Sequence, residues 1–316
     1  MVETFLQPLP HGITLSCRAA GERGRPALMF LHGFPQAAFV WDDMLLHFAK
    51  PEHGGYRCIA PNLRGYEASS APADAKDYRA KHLVQDIVAL IEAETGNATP
   101  TTPLAALVAH DWGGAVAWNL ANQQPQLLSK LVIINSPHPG TFLRELQHNP
   151  AQQAASAYMN FLIRPDAAGL LAQQGYARLF GFFEKMGAAS PAGTSGAPIG
   201  AGWLTDAVRA QYREVWDRGL DGGLNYYRAS PLRPATDSDP AANAVVLPAE
   251  AVRVDVPTLV LWAQEDVALL PALCDGLQDH VPDLKLVPLP QATHWVVHEQ
   301  PERVISEIAD FLKTAQ

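Results

Sequence analysis

The feature that most constrains this chain is a repeated alternation of short, continuously apolar runs with amphipathic stretches. Apolar runs occur at residues 27–31 (ALMFL), 56–60 (YRCIA), 104–109 (LAALVA), 131–135 (LVIIN), 258–262 (TLVLW) and 284–287 (LKLV). Most of their apolar residues fall at consecutive rather than alternating positions, as in strands covered on both faces of a parallel sheet. The stretches between them have helical spacing. Residues 80–93 place Leu83, Ile87 and Leu90 on one face, residues 115–122 read as a helix, and residues 301–313 open with Pro301 in a first helical turn. Strand–helix alternation predicts an α/β architecture: a doubly wound, mostly parallel sheet flanked by helices.

The alternation breaks after Pro137 and resumes at Val256. Between them lie aromatic and helix-forming segments without a strand signature. This predicts a helical cap inserted between the sixth and seventh core strands, with residues 1–136 as the first part of the core, 137–250 as the cap and 251–316 as the second part. Within the cap, residues 187–202 are almost all Gly, Ala, Ser and Pro. They read as a mobile surface loop or as a gate over a pocket beneath the cap. Residues 230–244 read as the return linker to the core.

Composition narrows the function classes. Of 316 residues 48% are hydrophobic and 17% charged, so a large buried core is easy to build and disorder is not expected. A net charge of -9 repels phosphate backbones and argues against nucleic-acid binding. Cys17, Cys58 and Cys274 are odd in number and far apart, as expected of buried, reduced thiols. The first ten residues, MVETFLQPLP, lack the features of a signal peptide, and no apolar run approaches the roughly 20 residues that span a bilayer. The expectation is a cytoplasmic protein that needs no membrane. Nothing in the sequence bears on oligomeric state.

Four short motifs stand at the ends of predicted strands. In Ala109-His110-Asp111-Trp112-Gly113-Gly114 a strand ends, one residue occupies a sharp turn and a glycine-rich helix start follows. The apex residue of such an elbow projects above the sheet. Here it is Asp111, at a helix N-terminus that favours the ionised, nucleophilic carboxylate. Taken alone, it could equally be a helix N-cap. His32-Gly33-Phe34-Pro35 follows the strand ALMFL. In an elbow architecture this loop and the residue after the nucleophile each offer a backbone N–H to a developing oxyanion, which assigns Phe34 and Trp112. Asp266, with Glu265 as its competitor, follows TLVLW and could orient a histidine. His294, with His298 as its competitor, follows LKLV and is the candidate general base. The pair His294 and His298 lacks the Glu of a metalloprotease H-E-x-x-H and has no evident third ligand, so no metal is expected. The chain order Asp111, Asp266, His294 is that of nucleophile, acid and histidine.

These motifs resemble those of α/β-hydrolase-fold epoxide hydrolases, relatives of haloalkane and haloacetate dehalogenases. The resemblance covers nearly the whole chain and is weakest in the cap. It includes Asn135-Ser136-Pro137-His138-Pro139, which enters the cap. It favours Asp266 as the acid, requires no cofactor and implies a small-molecule substrate. It also implies two cap tyrosines that bind and protonate an epoxide oxygen. Asn225-Tyr226-Tyr227-Arg228 points to Tyr227, and the segment from Tyr158 to Pro165 points to Tyr158. Tyr226 and Tyr212 are the substitutes. Further substrate contacts are expected from Phe34, Pro35, Trp112, Met159 and Trp295.

The implied reaction forms a hydroxyalkyl ester of Asp111, which a water activated by His294 hydrolyses to a diol. A dehalogenase using the same three residues is the alternative. Trp112 stands where haloacetate enzymes usually carry Arg, and Phe34 stands where haloalkane enzymes often carry a second halide donor. A non-catalytic ligand-binding protein is the third reading, since a fold alone does not prove an activity.

Overall fold

The computed structural model describes residues 1–96, 102–188, 202–236 and 239–314. Eight strands form one sheet: β1 Glu3–Pro8, β2 Thr14–Ala20, β3 Ala27–Leu31, β4 Arg57–Pro61, β5 Ala106–His110, β6 Leu131–Ile134, β7 Thr258–Ala263 and β8 Leu284–Leu289. Their order is β1-β2-β4-β3-β5-β6-β7-β8. Strands β3 to β8 are mutually parallel, whereas β2 pairs antiparallel with both β1 and β4.

The six apolar runs are thus the six parallel strands, with ends shifted by a residue or two. The third run starts late: Leu104 makes only an isolated bridge to Leu128, and the strand begins at Ala106. β3, β5, β6 and β7 are buried along their whole length. Alternate side chains go to opposite faces. Met29, Leu31, Leu107 and Ala109 join one core with helices α2 (Ala80–Thr95) and α3 (Trp112–Gln123). Leu28, Phe30, Ala106 and Val108 join the other with α1 (Asp42–Phe48) and α11 (Pro301–Lys313). Both faces are covered, so both positions of each strand must be apolar. That is why no polar alternation marks them.

Between β6 and β7 come α4 (Pro139–His148), α5 (Pro150–Ala155), α6 (Tyr158–Leu162), α7 (Ala167–Phe183), α8 (Asp206–Trp216) and α9 (Asp221–Ala229). α7 is interrupted at Gln173–Tyr176 by non-helical backbone. The remaining helix, α10, is Val296–Glu299. The Gly/Ala/Ser/Pro-rich segment read as a loop or gate lies almost wholly outside the described residues. At its near end, Gly187 sits against Thr293, where an added Cβ would stand 2.3 Å from that side chain.

Cys17 and Cys58 are buried free thiols, whereas Cys274 is only half-buried, a departure from the expectation that all three are enclosed. No helix among the described residues is long and apolar enough to cross a membrane.

Candidate active site

Asp111 occupies the turn between β5 and α3 with φ 51° and ψ -124°. Non-glycine residues rarely adopt this conformation. Small neighbours make room for it. A Cβ on Gly113 would lie 2.5 Å from the Leu31 carbonyl oxygen, and one on Gly33 would lie 2.2 Å from Asp111 Oδ1. The Ser136 hydroxyl donates to the Asp111 backbone carbonyl at 2.6 Å, tying the elbow to the end of β6.

The HGFP loop meets the carboxylate from the other side. The Phe34 N–H donates to Asp111 Oδ1 at 2.7 Å, and the Trp112 N–H also interacts with the carboxylate. His32 braces this loop. Its Nε2 accepts the Leu63 N–H at 3.0 Å, which leaves Nδ1–H to donate to the Gly33 carbonyl at 3.0 Å. Burial pushes the His32 imidazole down to about 4, so it is neutral near pH 7.

His294 Nδ1 donates to Asp266 Oδ2 at 2.7 Å, and His294 Nε2 stands 3.7 Å from Asp111 Oδ2. Asp266 is almost fully enclosed and completely satisfied. Its Oδ1 accepts the Ala268 and Leu269 N–H groups at 2.8 and 2.9 Å, and its Oδ2 also accepts Asn135 Nδ2–H at 2.8 Å. Burial would raise the Asp266 pKa, but the charge and hydrogen bond of His294, with Asn135 and the Leu269 N–H, hold it below the usual range. Burial works in the opposite direction on His294, and there the charge and hydrogen bond of Asp266, then the charge of Asp111, prevail and raise its pKa. For Asp111 burial prevails: its pKa lies above the usual value although His294 and the Trp112 and Phe34 N–H groups pull it down. A half-buried carboxylate of raised basicity beside an Asp-oriented imidazole suits nucleophilic and general-base chemistry.

The geometry separates the competitors. Glu265 is exposed while Asp266 is buried against His294. His298 Nε2 contacts Gln36 Nε2 at 2.9 Å, and its ring stacks on Trp203 at 4.2 Å. Burial holds it down to about 4.

Above Asp111 lies a cavity of about 280 Å³ whose lining is mainly apolar and includes Asp111, Trp112, Tyr158, Met159, Tyr226 and Tyr227. The Tyr158 and Tyr227 rings are 6.3 Å apart, and Tyr227 packs edge-on against Trp112 at 5.0 Å and Phe34 at 5.3 Å. Burial, then the negative charge of Asp111, raises the Tyr158 pKa. Burial, then Tyr158 and Asp111, does the same for Tyr227. Both phenols therefore remain protonated donors. The substitutes are engaged elsewhere: Tyr226 donates to the Arg64 carbonyl at 3.0 Å, and the Tyr212 hydroxyl accepts from Gln36 Nε2 at 3.1 Å.

Of the expected substrate contacts, Trp112 and Met159 line the cavity, whereas Phe34, Pro35 and Trp295 lie outside its lining. The Phe34 ring packs behind Tyr227, and only its N–H faces Asp111. The Pro35 carbonyl accepts the Trp216 indole N–H at 2.7 Å. Trp295 is fully buried, donating to the Phe183 carbonyl at 3.0 Å within an aromatic cluster. A bulky residue next to a site histidine looks like a substrate contact in sequence; only the packing shows that it faces the core.

Sequence reasoning assigned no role to Asn135 or Gln152. Asn135, at φ 40°, donates to Asp266 and accepts the Ala263 N–H at 3.0 Å. Gln152 of α5 donates to the Ala268 carbonyl at 2.8 Å and accepts the Leu270 N–H at 3.0 Å, so the acid loop is held from the inserted helices. An Asn at a strand end, a residue that tolerates positive φ, was a usable signal for the first. A glutamine on a short helix gave none. Among the described residues no three His, Cys, Asp or Glu side chains converge as a metal site would require.

Residues 26–301 match the family model described as alpha/beta hydrolase fold. The chain is 33% identical over 307 residues to the AB hydrolase superfamily protein YfhM of Bacillus subtilis, covering 96% of each. It is 30% identical over 305 residues to epoxide hydrolase 4 of Mus musculus, covering 96% of this chain and 77% of that one. Among solved structures, Bacillus megaterium epoxide hydrolase in complex with an inhibitor superposes with a TM-score of 0.83 at 27% identity, over 98% of this chain and 100% of that one. With this fold, these relatives and the Asp111–His294–Asp266 cluster at the ends of its strands, the chain belongs to the alpha/beta hydrolase fold family, as a hydrolase with epoxide hydrolases among its relatives.

Proposed function

We propose that the protein hydrolyses an epoxide to a vicinal diol through a covalent ester of Asp111, with residues 137–250 acting as a cap over the site. Oδ1 of Asp111 accepts the Phe34 N–H, so Oδ2, which faces His294, is the oxygen that attacks a ring carbon. The carbon–oxygen bond of the strained ring breaks. The departing oxygen takes a proton from the Tyr158 and Tyr227 pair and becomes the hydroxyl of a hydroxyalkyl ester. His294, oriented by Asp266, then takes a proton from water, and the resulting hydroxide adds to the ester carbonyl carbon. Negative charge gathers on Oδ1, which already accepts the Phe34 N–H, with the Trp112 N–H as the second donor to the group. The tetrahedral intermediate collapses and releases the diol. The proton held by His294 balances the one the phenols gave up, so the sum is epoxide plus water.

The observation that carries this reading is the pair of protonated phenols lining the same cavity as an N–H-bound carboxylate. A halide would need indole or amide donors in their place. Trp112 is the single indole among the described residues of the lining, and the Trp216 and Trp295 N–H groups are bonded to carbonyls.

Replacing His294 with Gln and incubating with an epoxide tests the scheme. Alkylation should proceed and hydrolysis stall, so mass spectrometry should find the whole epoxide mass added to the peptide carrying Asp111. An adduct formed from a haloalkane with loss of halide, and none from epoxides, would assign a dehalogenase instead.

A further inference from the structure

From Asp111 the cavity runs along α3. One wall is a single face of α3: Trp112, Ala115, Val116 and Asn119 all line it. These positions follow the i, i+3, i+4, i+7 spacing of one helical stripe, and seven residues of helix rise about 10 Å. The rest of the lining includes Leu83 of α2, Phe142 of α4, Met159 of α6, Tyr226 of α9, and Leu232 and Leu269. Behind the two phenols, aromatic rings pack on one another. Phe182 packs on Tyr158 at 5.2 Å and on Phe34 at 6.3 Å, and Phe34 packs on Tyr227 at 5.3 Å. Neither Phe34, Phe182 nor His294 lines the cavity. Val116 is 1% exposed, so its side chain faces the interior, and Asn119 at the far end is half-buried. The Asn119 Nδ2–H donates to the Ala115 carbonyl at 2.8 Å, which fixes the carboxamide against the helix.

We infer that the substrates are epoxides bearing one elongated apolar substituent, accommodated along α3, with Val116 and Asn119 setting its length. This rests on the reading that Asp111 opens epoxides. A ring carbon beside Oδ2 leaves space for a tail toward Asn119, whereas the Phe34 and Phe182 rings occupy the side behind the phenols. Apolar surface of the tail is removed from water against Val116, Leu83 and Leu232, so each further methylene adds binding until the channel is filled.

The test compares kcat/KM of the purified full chain on terminal epoxides from 1,2-epoxybutane to 1,2-epoxydecane with symmetric trans-2,3-disubstituted isomers of equal carbon number. The terminal series should gain about two- to fourfold per methylene before it levels off, and each symmetric isomer should react at least about tenfold more slowly. Val116→Phe fills the middle of the channel and Asn119→Phe its far end. In either variant the epoxydecane-to-epoxybutane ratio of kcat/KM should fall by about tenfold or more. Asn119 is half-buried, so the second variant serves if the first does not fold. An unchanged ratio in a folded variant, or symmetric isomers as fast as terminal ones, overturns the inference. If no epoxide turns over, thermal shifts with 1,2-alkanediols separate the two failures. Stabilisation that grows with chain length and is lost in the variants keeps the channel while the epoxide reading falls. Length-independent shifts remove the channel.

Discussion

Asp266 is the residue whose removal reads out the electrostatics most cleanly. Its charge and hydrogen bond are the chief opponents of the burial that would otherwise depress His294. In the proposed mechanism His294 works as a neutral base, so activity falls as pH drops through its pKa. Because that pKa is raised, the acid limb of the kcat profile should lie above the ordinary imidazole value of about 6.5. Asp266→Asn leaves burial and removes the charge, so the limb should move to lower pH while the plateau falls; an unshifted limb would mean that another group titrates. Asn135→Ala should act through the same carboxylate. Losing one hydrogen bond to a charged group costs about 1.5–3 kcal/mol, so kcat should drop roughly ten- to a hundredfold with KM little changed. A KM effect alone would place Asn135 outside the chemistry. At this scale Asp111, Asp266 and His294 were legible in sequence, because each stands at a strand end, where local pattern fixes position. That Phe34, Pro35 and Trp295 lie outside the cavity lining was not legible, because local pattern does not fix which way a side chain faces.

The elements divide by how much of their environment the chain carries locally. The parallel strands announced themselves because both faces are covered. β1 and β2 escaped notice: β1 is mostly exposed and β2 alternates half-buried with buried positions, as in antiparallel strands partly open to solvent, and their pairing partners are not visible locally. α3 begins at Trp112 rather than at residue 115, since Gly113 and Gly114 read as turn residues. They are small because Leu31 and Ser136 press on them, a long-range reason. The last helix is held equally non-locally. Lys130, immediately before β6, buries its ammonium among the Phe311, Leu312 and Thr314 carbonyls and the Thr314 hydroxyl, at 2.7–3.1 Å. It neutralises the C-terminal end of α11. Lys130→Met should destabilise the fold by about 1–3 kcal/mol in denaturant unfolding and speed amide exchange in α11, with kcat unchanged at room temperature. Unaltered exchange in that helix would mean that the cage contributes nothing.

For the whole molecule the decisive relation is between the core and the helices inserted between β6 and β7. The core supplies the Asp111–His294–Asp266 cluster. The inserted helices supply Tyr158 and Tyr227 and also grip the loops that carry the cluster, through Gln152 on the acid loop and Trp216 on Pro35. That grip could not be read from sequence, because the contacts join residues more than a hundred positions apart. The central claim is that Asp111 forms a bond to substrate, and a single turnover in H2(18)O tests it most directly. With enzyme in excess over an epoxide, the first diol should carry only oxygen-16, one atom from the epoxide and one from Asp111, while the Asp111 carboxylate gains oxygen-18. A first-turnover diol containing oxygen-18, with Asp111 unlabelled, would mean that water attacks the ring directly and would contradict the account.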